Sequence, residues 1–386
     1  MVLDPKTFTP TIIEDVSLIV NGIKFSGFTA ASVTKALNSF TNTFDFDLTQ
    51  QARTSSTGLF ELTTNEIKLQ DTCQVYIGDT LVITGYVENL SIDYSASSHS
   101  IKISGRDRTG DLVDSSIIPK SYNGITNIIQ LFKLVLSQNG FGFIDVVQDF
   151  TNIPGLIDPL AATEVVKAEE GETIFQFLDK YAKKVQVLLR TTADGNVQLT
   201  RESSFPLPTA LISLKNNRRN NILNASVSMN TNDRFGIIDV YAQSKIKQAT
   251  SISVSQKGQA TDANIRSVRK KRLTYKVATE KSYLDLLAQW NVNIKKARAS
   301  NYTCKVVGYR ADKAGQFLWE PNFLVTIQDD KCYMDGSFLI ESVTYSKSLS
   351  GSTTDIKVVN SNSYNLTAGG GDKIAADVIA PPKTTL

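Results

Sequence analysis

Two stretches of this chain follow one plan, and that constrains the fold more than any other feature. Residues 75–103 read VYIGDTLVITGYVENLSIDYSASSHSIKI, and residues 325–358 read VTIQDDKCYMDGSFLIESVTYSKSLSGSTTDIKV. Each gives a short strand, an acidic turn, a strand carrying apolar-Glu-x-Leu/Val, a Ser-rich loop and a closing S-I-K-I or D-I-K-V strand. Ile101 follows Glu88 by 13 residues and Ile356 follows Glu341 by 15. TFDFDL lies ahead of the first stretch and YTCKVVGY ahead of the second. Antiparallel meanders share alternation and Ser/Gly turns by chance. Agreement in order and spacing favours a duplication. Three copies of a chain with two similar β-modules present six modules around a ring, matching sixfold symmetry at one end and threefold at the other.

The rest of the chain reads as mainly β with an α+β middle. Alternation places Phe44, Phe46 and Leu48 on one face of a strand, and Asn21-Gly22 marks a hairpin. Period-2 patterning runs to about residue 107. ITNIIQLFKLVLSQNGF then sets Ile125, Ile128, Ile129, Phe132, Val135 and Leu136 at helical spacing, stopped by Asn139-Gly140. A second helix begins at Thr173 as N-cap and turns Ile174, Phe177, Leu178 and Tyr181 to one side. A hairpin follows, turning at Asp194-Gly195. From about 210 strands return, beginning with two around a polar turn in ILNASVSMNTNDRFGIIDVYAQ. EKSYLDLLAQWNVNIKKARAS is an amphipathic helix with Tyr283, Leu286, Leu287, Trp290 and Ile294 along one stripe. The expected domains are therefore 1–107, β; 108–209, α+β; 210–362, β, with a basic polar insertion at 243–275 and one amphipathic helix; and 363–386, a linker or docking tail.

Composition removes several function classes. With 41% apolar and 20% charged residues the chain reads as a folded protein. A net charge of +3 gives no general case for nucleic acid. MVLDPKTFTP has no apolar core, so no secretory signal is expected, and no apolar run approaches the about 18 residues of a membrane helix. Cys73, Cys304 and Cys332, odd in number and far apart, are expected to be buried free thiols. The single His99 rules out multi-His zinc sites, and any His-based triad would have to use it. AGGGDK at 368–373 follows polar coil and reads as linker, not as a phosphate loop. No catalytic, cofactor-binding or metal residues are assigned.

GRDRTGDLVDSS, 105–116, is the densest chemical stretch: Arg106, Asp107, Arg108, Asp111 and Asp114 span a strand-to-helix transition. As a glycosidase pair the carboxylates would have to face each other across a cleft. Capping of backbone N–H groups, pairing with Arg106 or Arg108, and subunit contact suit the spacing better. RSVRKKRL supplies Arg266, Arg269, Lys270, Lys271 and Arg272, without the interleaved aromatics of single-strand binders. LKNNRRNN adds Arg218 and Arg219. Both sets are candidates for a bore or for an acidic partner face. Asp329, Asp330, Cys332 and Asp335 mix hard and soft ligands and read as a turn. Trp290 reads as core, and Trp319 as cover for a barrel end or a subunit boundary.

The order of segments resembles the baseplate hub proteins of Mu-type contractile-tailed phages, a family related to the hub part of type VI secretion spike proteins. Residues 105–109 and 111–115, directly after the last strand of the first β-domain, carry the resemblance most specifically. EEGETIFQFLDKYAKKVQVLLRTTADGNVQL and GQFLWEPNFLVTI support it. The resemblance implies two tube-like β-barrel domains per chain and a homotrimeric ring that joins a hexameric tail tube protein to a trimeric central spike protein. Other baseplate and tape-measure proteins would be neighbours, and genomic DNA would pass through the bore. It implies a virion component made in the bacterial host cytoplasm, with no cofactor and no stable membrane association. The chain carries no β-helical repeat, so the spike is expected as a separate partner, and no inserted segment is long enough for a lysozyme-like domain. The competing readings are a carboxylate-dependent cell-wall hydrolase and a DNA-binding module built on 266–272.

Overall fold

The computed structural model describes residues 14–49, 67–95, 99–125, 127–149, 166–184, 187–203, 205–215, 220–243, 255–275, 281–312, 315, 317–360 and 363–364. Among the described residues seven strands come first: β1 (Val16–Val20), β2 (Ile23–Phe25), β3 (Ala30–Ala36), β4 (Thr43–Thr49), β5 (Thr72–Ile77), β6 (Thr80–Tyr94) and β7 (His99–Asp107). Asn21 and Gly22 both take positive φ, which turns β1 into β2 with the hand that suits twisted strands. Five strands lie in the order β3-β4-β7-β6-β5, each antiparallel to its neighbour. Val33, Phe44, Phe46, Ile101 and Ile103 face the core, as their alternation requires.

An α+β unit follows, with α1 (Gly110–Asp114), β8 (Ser121–Tyr122), α2 (Ile128–Gln138), β9 (Val146–Gln148), β10 (Val166–Lys167), α3 (Ile174–Lys184), β11 (Leu188–Thr191) and β12 (Val197–Thr200). Asn127 caps α2 through its side-chain oxygen, and Gly140 takes a left-handed φ just beyond the helix. Thr173 Oγ1 accepts from Gln176 N while Gln176 Oε1 accepts from Thr173 N, a reciprocal cap that starts α3 where the sequence places it. Ile128, Leu131, Phe132, Val135 and Leu136 of α2 meet Ile174, Phe177 and Leu178 of α3 in a core of their own, into which Phe40 reaches from the β3–β4 turn.

The chain then forms β13 (Leu211–Ser213), β14 (Ile222–Met229), β15 (Ile237–Gln243), β16 (Ser255–Thr261), β17 (Lys270–Tyr275), α4 (Lys281–Arg298), β18 (Ser300–Val307), β19 (Leu324–Asp329), β20 (Met334–Ser348) and β21 (Gly351–Asn360). The two strands of 222–243 do not pair with each other. β14 joins β18, while β15 is the centre of a separate sheet, antiparallel to β16 and parallel to β17. The region read as a polar insertion therefore holds two strands, whose core side is covered by α4. Leu284, Leu287, Ala288 and Val292 fill that core. Of the stripe expected on α4, Leu287 is buried there, whereas Leu286, Trp290 and Ile294 are half-buried. Gly258 permits the packing, because a Cβ there would sit 2.1 Å from the Leu284 carbonyl carbon.

The remaining strands reproduce the first module. Their order is β14-β18-β21-β20-β19, antiparallel throughout, so each module runs first-second-fifth-fourth-third in chain order. Both long strands slip register at the echoed glutamate: β6 between Val87 and Asn89, around Glu88, and β20 between Ile340 and Ser342, around Glu341. Gln70 and Asn322 take the same rare left-handed φ, 74° and 71°. Gln70 N donates to Val87 O at 2.7 Å, and Asn322 N donates to Ile340 O at 2.9 Å. Aligned through their partners on β4 and β18, residues 31–36 (ASVTKA) fall on residues 225–230 (ASVSMN). The outermost strands differ, since β1 is antiparallel to β5 while β13 is parallel to β19.

β20 also pairs antiparallel with β3, from Ser342↔Ala36 to Lys347↔Ala31, and this merges the modules into one 13-stranded sheet with one core. Val33, Val343 and Tyr345 are fully buried at the junction, and the Thr34 and Thr344 hydroxyls lie 3.0 Å apart on the opposite face. Truncating Tyr345 to alanine removes a ring from the middle of this core. The expected loss is about 3–5 kcal/mol, measured by urea unfolding.

Candidate functional site: the interdomain joint

The joint is made where β7 leaves the sheet. Arg106 donates through Nε to both carboxylate oxygens of Glu88, at 2.9 and 2.8 Å, and its Nη2 pairs with Asp114 on α1. It thus ties the β6 bulge to the start of the middle unit, and its hydrogen bond holds the Asp114 carboxyl below the usual range. Arg108 donates to Gly195 O at 2.9 Å and to Asn196 Oδ1 at 2.6 Å, fixing the β11–β12 hairpin, and its guanidinium lies over the Phe143 ring. Asp111 is half-buried, and desolvation raises its carboxyl, with the Glu88 charge adding to the effect. The Thr109 side chain makes no capping hydrogen bond to α1. It points the other way, toward Asp107 and Thr191.

Asp107 is the buried centre. Its Oδ2 accepts from Asn42 N at 2.7 Å, and its Oδ1 lies 2.6 Å from the Thr109 hydroxyl. That hydroxyl is 2.6 Å from the Thr191 hydroxyl, which donates to Phe40 O at 2.9 Å. The Thr109 hydroxyl donates to the Asp107 carboxylate, so the joint is a chain of hydrogen bonds from Phe40 to Asp107. Burial pushes this carboxyl up to about 7 against the opposing pull of the Thr109 hydroxyl, Asn42 N and Arg106. Gly105 leaves no room for a side chain, since a Cβ would lie 2.0 Å from Tyr86 O and 2.7 Å from the Phe44 ring.

The basic candidates divide. Arg269, Lys271 and Lys295 surround the Phe235 ring at 5.7, 5.0 and 5.4 Å, and Lys295 pairs with Asp233 at 2.6 Å. Arg269 also donates to Asn232 O. These cations hold the 231–236 turn onto the small sheet, which leaves Arg266, Lys270 and Arg272 exposed. Arg218 and Arg219 lie outside the described residues, as does the side chain of His99. Trp319 is 2% exposed inside the large core, so it is not a surface residue of the chain. Asp329 accepts from Lys331 N, Cys332 N and the Tyr302 hydroxyl, closing its own turn. Cys73, Cys304 and Cys332 are free thiols, and burial pushes Cys73 up to about 12. Among the described residues no group of three His, Cys, Asp or Glu side chains is arranged to hold a metal, and no helix is long and apolar enough to cross a membrane.

The sequence reading missed Asn42 and Thr191, which meet the motif from 65 and 82 residues away. It also missed Lys35, buried at the module junction and paired with Glu320 at 2.6 Å. The echo at Glu88 was the one available pointer, since it marks the bulge that Arg106 grips.

The doubled β-module and its joint have counterparts among phage tail proteins. Residues 15–107 match the model of the Mu phage baseplate assembly protein GpP-like family, N-terminal part, and residues 283–367 match that of the GpP fourth domain. Baseplate hub protein gp44 of Escherichia phage Mu is 24% identical over 328 residues, covering 82% of this chain and 79% of gp44. The 43 kDa tail protein of prophage MuSo2 from Shewanella oneidensis superimposes with a TM-score of 0.76 at 27% identity, over 91% of this chain and 99% of that one. A tail protein from Neisseria meningitidis MC58 gives 0.76 at 21%, over 92% of this chain and 99% of that one. A type VI secretion component from E. coli shares the fold at 0.51 and 11%, over 89% and 76%. The chain thus resembles baseplate hub and tail proteins of Mu-like phages over most of its length.

Two outcomes test the joint. Gly105→Ala is expected to cost about 3 kcal/mol in urea unfolding through the clash with Tyr86 O and Phe44. Asp107 has a folded-state pKa above its unfolded value, so its stabilising effect is complete below about pH 4 and is lost as pH rises to about 7. Asp107→Asn keeps a donor toward Thr109 and an acceptor for Asn42 N and cannot ionise. Its stability relative to wild type is expected to grow by roughly 2–4 kcal/mol between pH 4 and 7 and to stay level above that. Parallel unfolding curves for the two proteins across that range would remove the proton from Asp107.

Proposed function

We propose that the chain is the homotrimeric hub of a tail baseplate, a ring that adapts a sixfold tail tube to a threefold central spike. The observation that carries this is the junction of β3 with β20: one five-stranded module appears twice and the copies are already joined edge to edge. Three such chains give six modules in a closed series, which one protein achieves without a second gene product.

The two ends of the modules differ, which supports a directional adaptor. The β6–β7 and β20–β21 hairpins end at equivalent places, so three chains would offer six similar tips to a tube. At the other end, the α+β unit follows β7 and the β15–β17 sheet with α4 is inserted between β14 and β18. These two units are unlike, so that end has threefold symmetry only and suits a spike. The face of the large sheet away from the core carries Asp45, Asp47, Asp93 and Asp355 against Lys102, Lys305 and Lys357, among serines and threonines. As the wall of a bore it would be nearly neutral, letting genomic DNA pass without the counterion release that drives tight binding. Other baseplate and tape-measure proteins would be neighbours in the same assembly, which would form in the host cytoplasm.

The hydrolase reading would need a facing pair drawn from Asp107, Asp111 and Asp114, and two of the three are engaged within the chain. Asp107 is sealed in the joint, and Asp114 is engaged by Arg106. Native mass spectrometry of the purified chain is expected to give a mass three times that of the 42.4 kDa polypeptide. The same preparation is expected to leave peptidoglycan intact. A protein that remains a single chain at tens of micromolar concentrations sinks the hub reading, and turnover lost in Asp114→Asn revives the hydrolase.

A further inference from the structure

Residues 319–322, WEPN, lie where the two modules and the middle unit meet. Trp319 is buried in the large core, and its carbonyl accepts from the Tyr345 hydroxyl of β20. Glu320 Oε1 pairs with Lys35 Nζ of β3 at 2.6 Å, and its Oε2 lies 4.0 Å from Arg190 Nη2 of β11. Asn322 N donates to Ile340 O at the β20 bulge. The Asn322 side chain turns to the end of the middle unit. Its Nδ2 donates to Arg201 O at 2.8 Å and to Thr200 Oγ1 at 3.2 Å, and its Oδ1 accepts from Ser203 N at 3.1 Å. One short segment thus bonds to β3, to β20 and to the middle unit.

Lys35 makes the junction of β3 with β20 depend on that segment. It stands opposite Val343, on the face of β3 that also turns Ala31 and Val33 to the core, and it is 7% exposed. A buried ammonium is strongly unfavourable without a carboxylate beside it. Val343 opposite, and Val33 and Leu37 on the same face, carry no charge. Glu320 supplies the carboxylate, from a segment tied to the middle unit through Asn322. Leu37 lies in a small cluster with Leu339, Val359 and Tyr364, against which Leu188 of β11 packs. Thr191 of β11 donates to Phe40 O. β11 therefore meets the end of β3 and the turn beyond it at three points: through Glu320, at Leu37 and at Phe40.

We propose that WEPN is a clasp coupling the middle unit to the β3–β20 junction: the docked β11–β12 hairpin holds Glu320 on Lys35, and displacement of the middle unit opens the junction at its Lys35 end. The two states are the clasped one seen here and one in which Glu320 has left Lys35. In the second, the last pairs, Lys35↔Val343 and Ala36↔Ser342, come apart. Each module stays folded in both states, because the pairings within a module do not pass through the clasp. A load on the middle unit then reaches the connection between the modules without a change inside either one. The inference goes beyond the ring reading and does not require it.

Hydrogen exchange on the intact chain tests the clasp, read by mass spectrometry on peptides covering 31–36 and 342–347, with 72–86 as the reference. Asn322→Gly keeps the φ of 71° accessible and removes the three side-chain bonds to the middle unit. It is expected to speed exchange at the junction at least fivefold while the reference stays within twofold. Glu320→Gln, which takes the counter-charge from Lys35, is expected to do the same. Lys35→Met replaces the ammonium by an apolar chain of similar length and leaves no charge to clasp. Adding Asn322→Gly in that background is expected to change junction exchange less than twofold. If Asn322→Gly speeds exchange only within 188–203, or equally at the junction and in 72–86, or acts as strongly with Lys35→Met present, the clasp is overturned.

Discussion

The pairing of β3 with β20 is the constraint on which the rest of the structure depends. It joins residues separated by about three hundred positions, continues one hydrophobic core across two modules, and fixes their relative orientation by backbone hydrogen bonds instead of by a linker. A flexible connection would leave the two modules free to rotate. A shared sheet sets one rotation between them, and any symmetric use of the chain inherits that rotation.

The modules tolerate different attachments because their repeated parts are confined to five strands and the bulge. The glutamate at the bulge is kept in both, yet its partner differs: Arg106 at Glu88, Lys357 and the Tyr364 hydroxyl at Glu341. In the first module the glutamate is half-buried and ties β6 to the middle unit. In the second it is buried and bonded to Tyr364, just beyond β21. The same backbone irregularity thus serves two local purposes. Arg106, Asp107 and Arg108 each grip a different segment, so the middle unit is held by three separate contacts at the point where β7 ends.

Many of the chemically dense residues make contacts within the chain. Carboxylates and guanidinium groups lie close together in the joint because buried charges need partners, and three cations gather around Phe235 because one ring offers a face to each.

The sequence by itself determined the mainly β class, the α+β middle, the stop of α2 at Asn139-Gly140, the Thr173 cap of α3 and the order of elements shared by 75–103 and 325–358, because these depend on local periodicity and turn chemistry. It set Ile101 against Ile356, where the strand registers set Ile103. It did not determine that β14 and β15 belong to different sheets, or that 255–275 forms two strands. Polar alternation in a small sheet covered on one face by α4 reads much like coil. It also left Asn42, Thr191 and Lys35 unnoticed, since each gains its role from a partner far along the chain. Whether the modules would stand apart or share one sheet was decided only in three dimensions. Edge pairing depends on which strand ends come within hydrogen-bond reach, and alternation along a single strand carries no record of its neighbour.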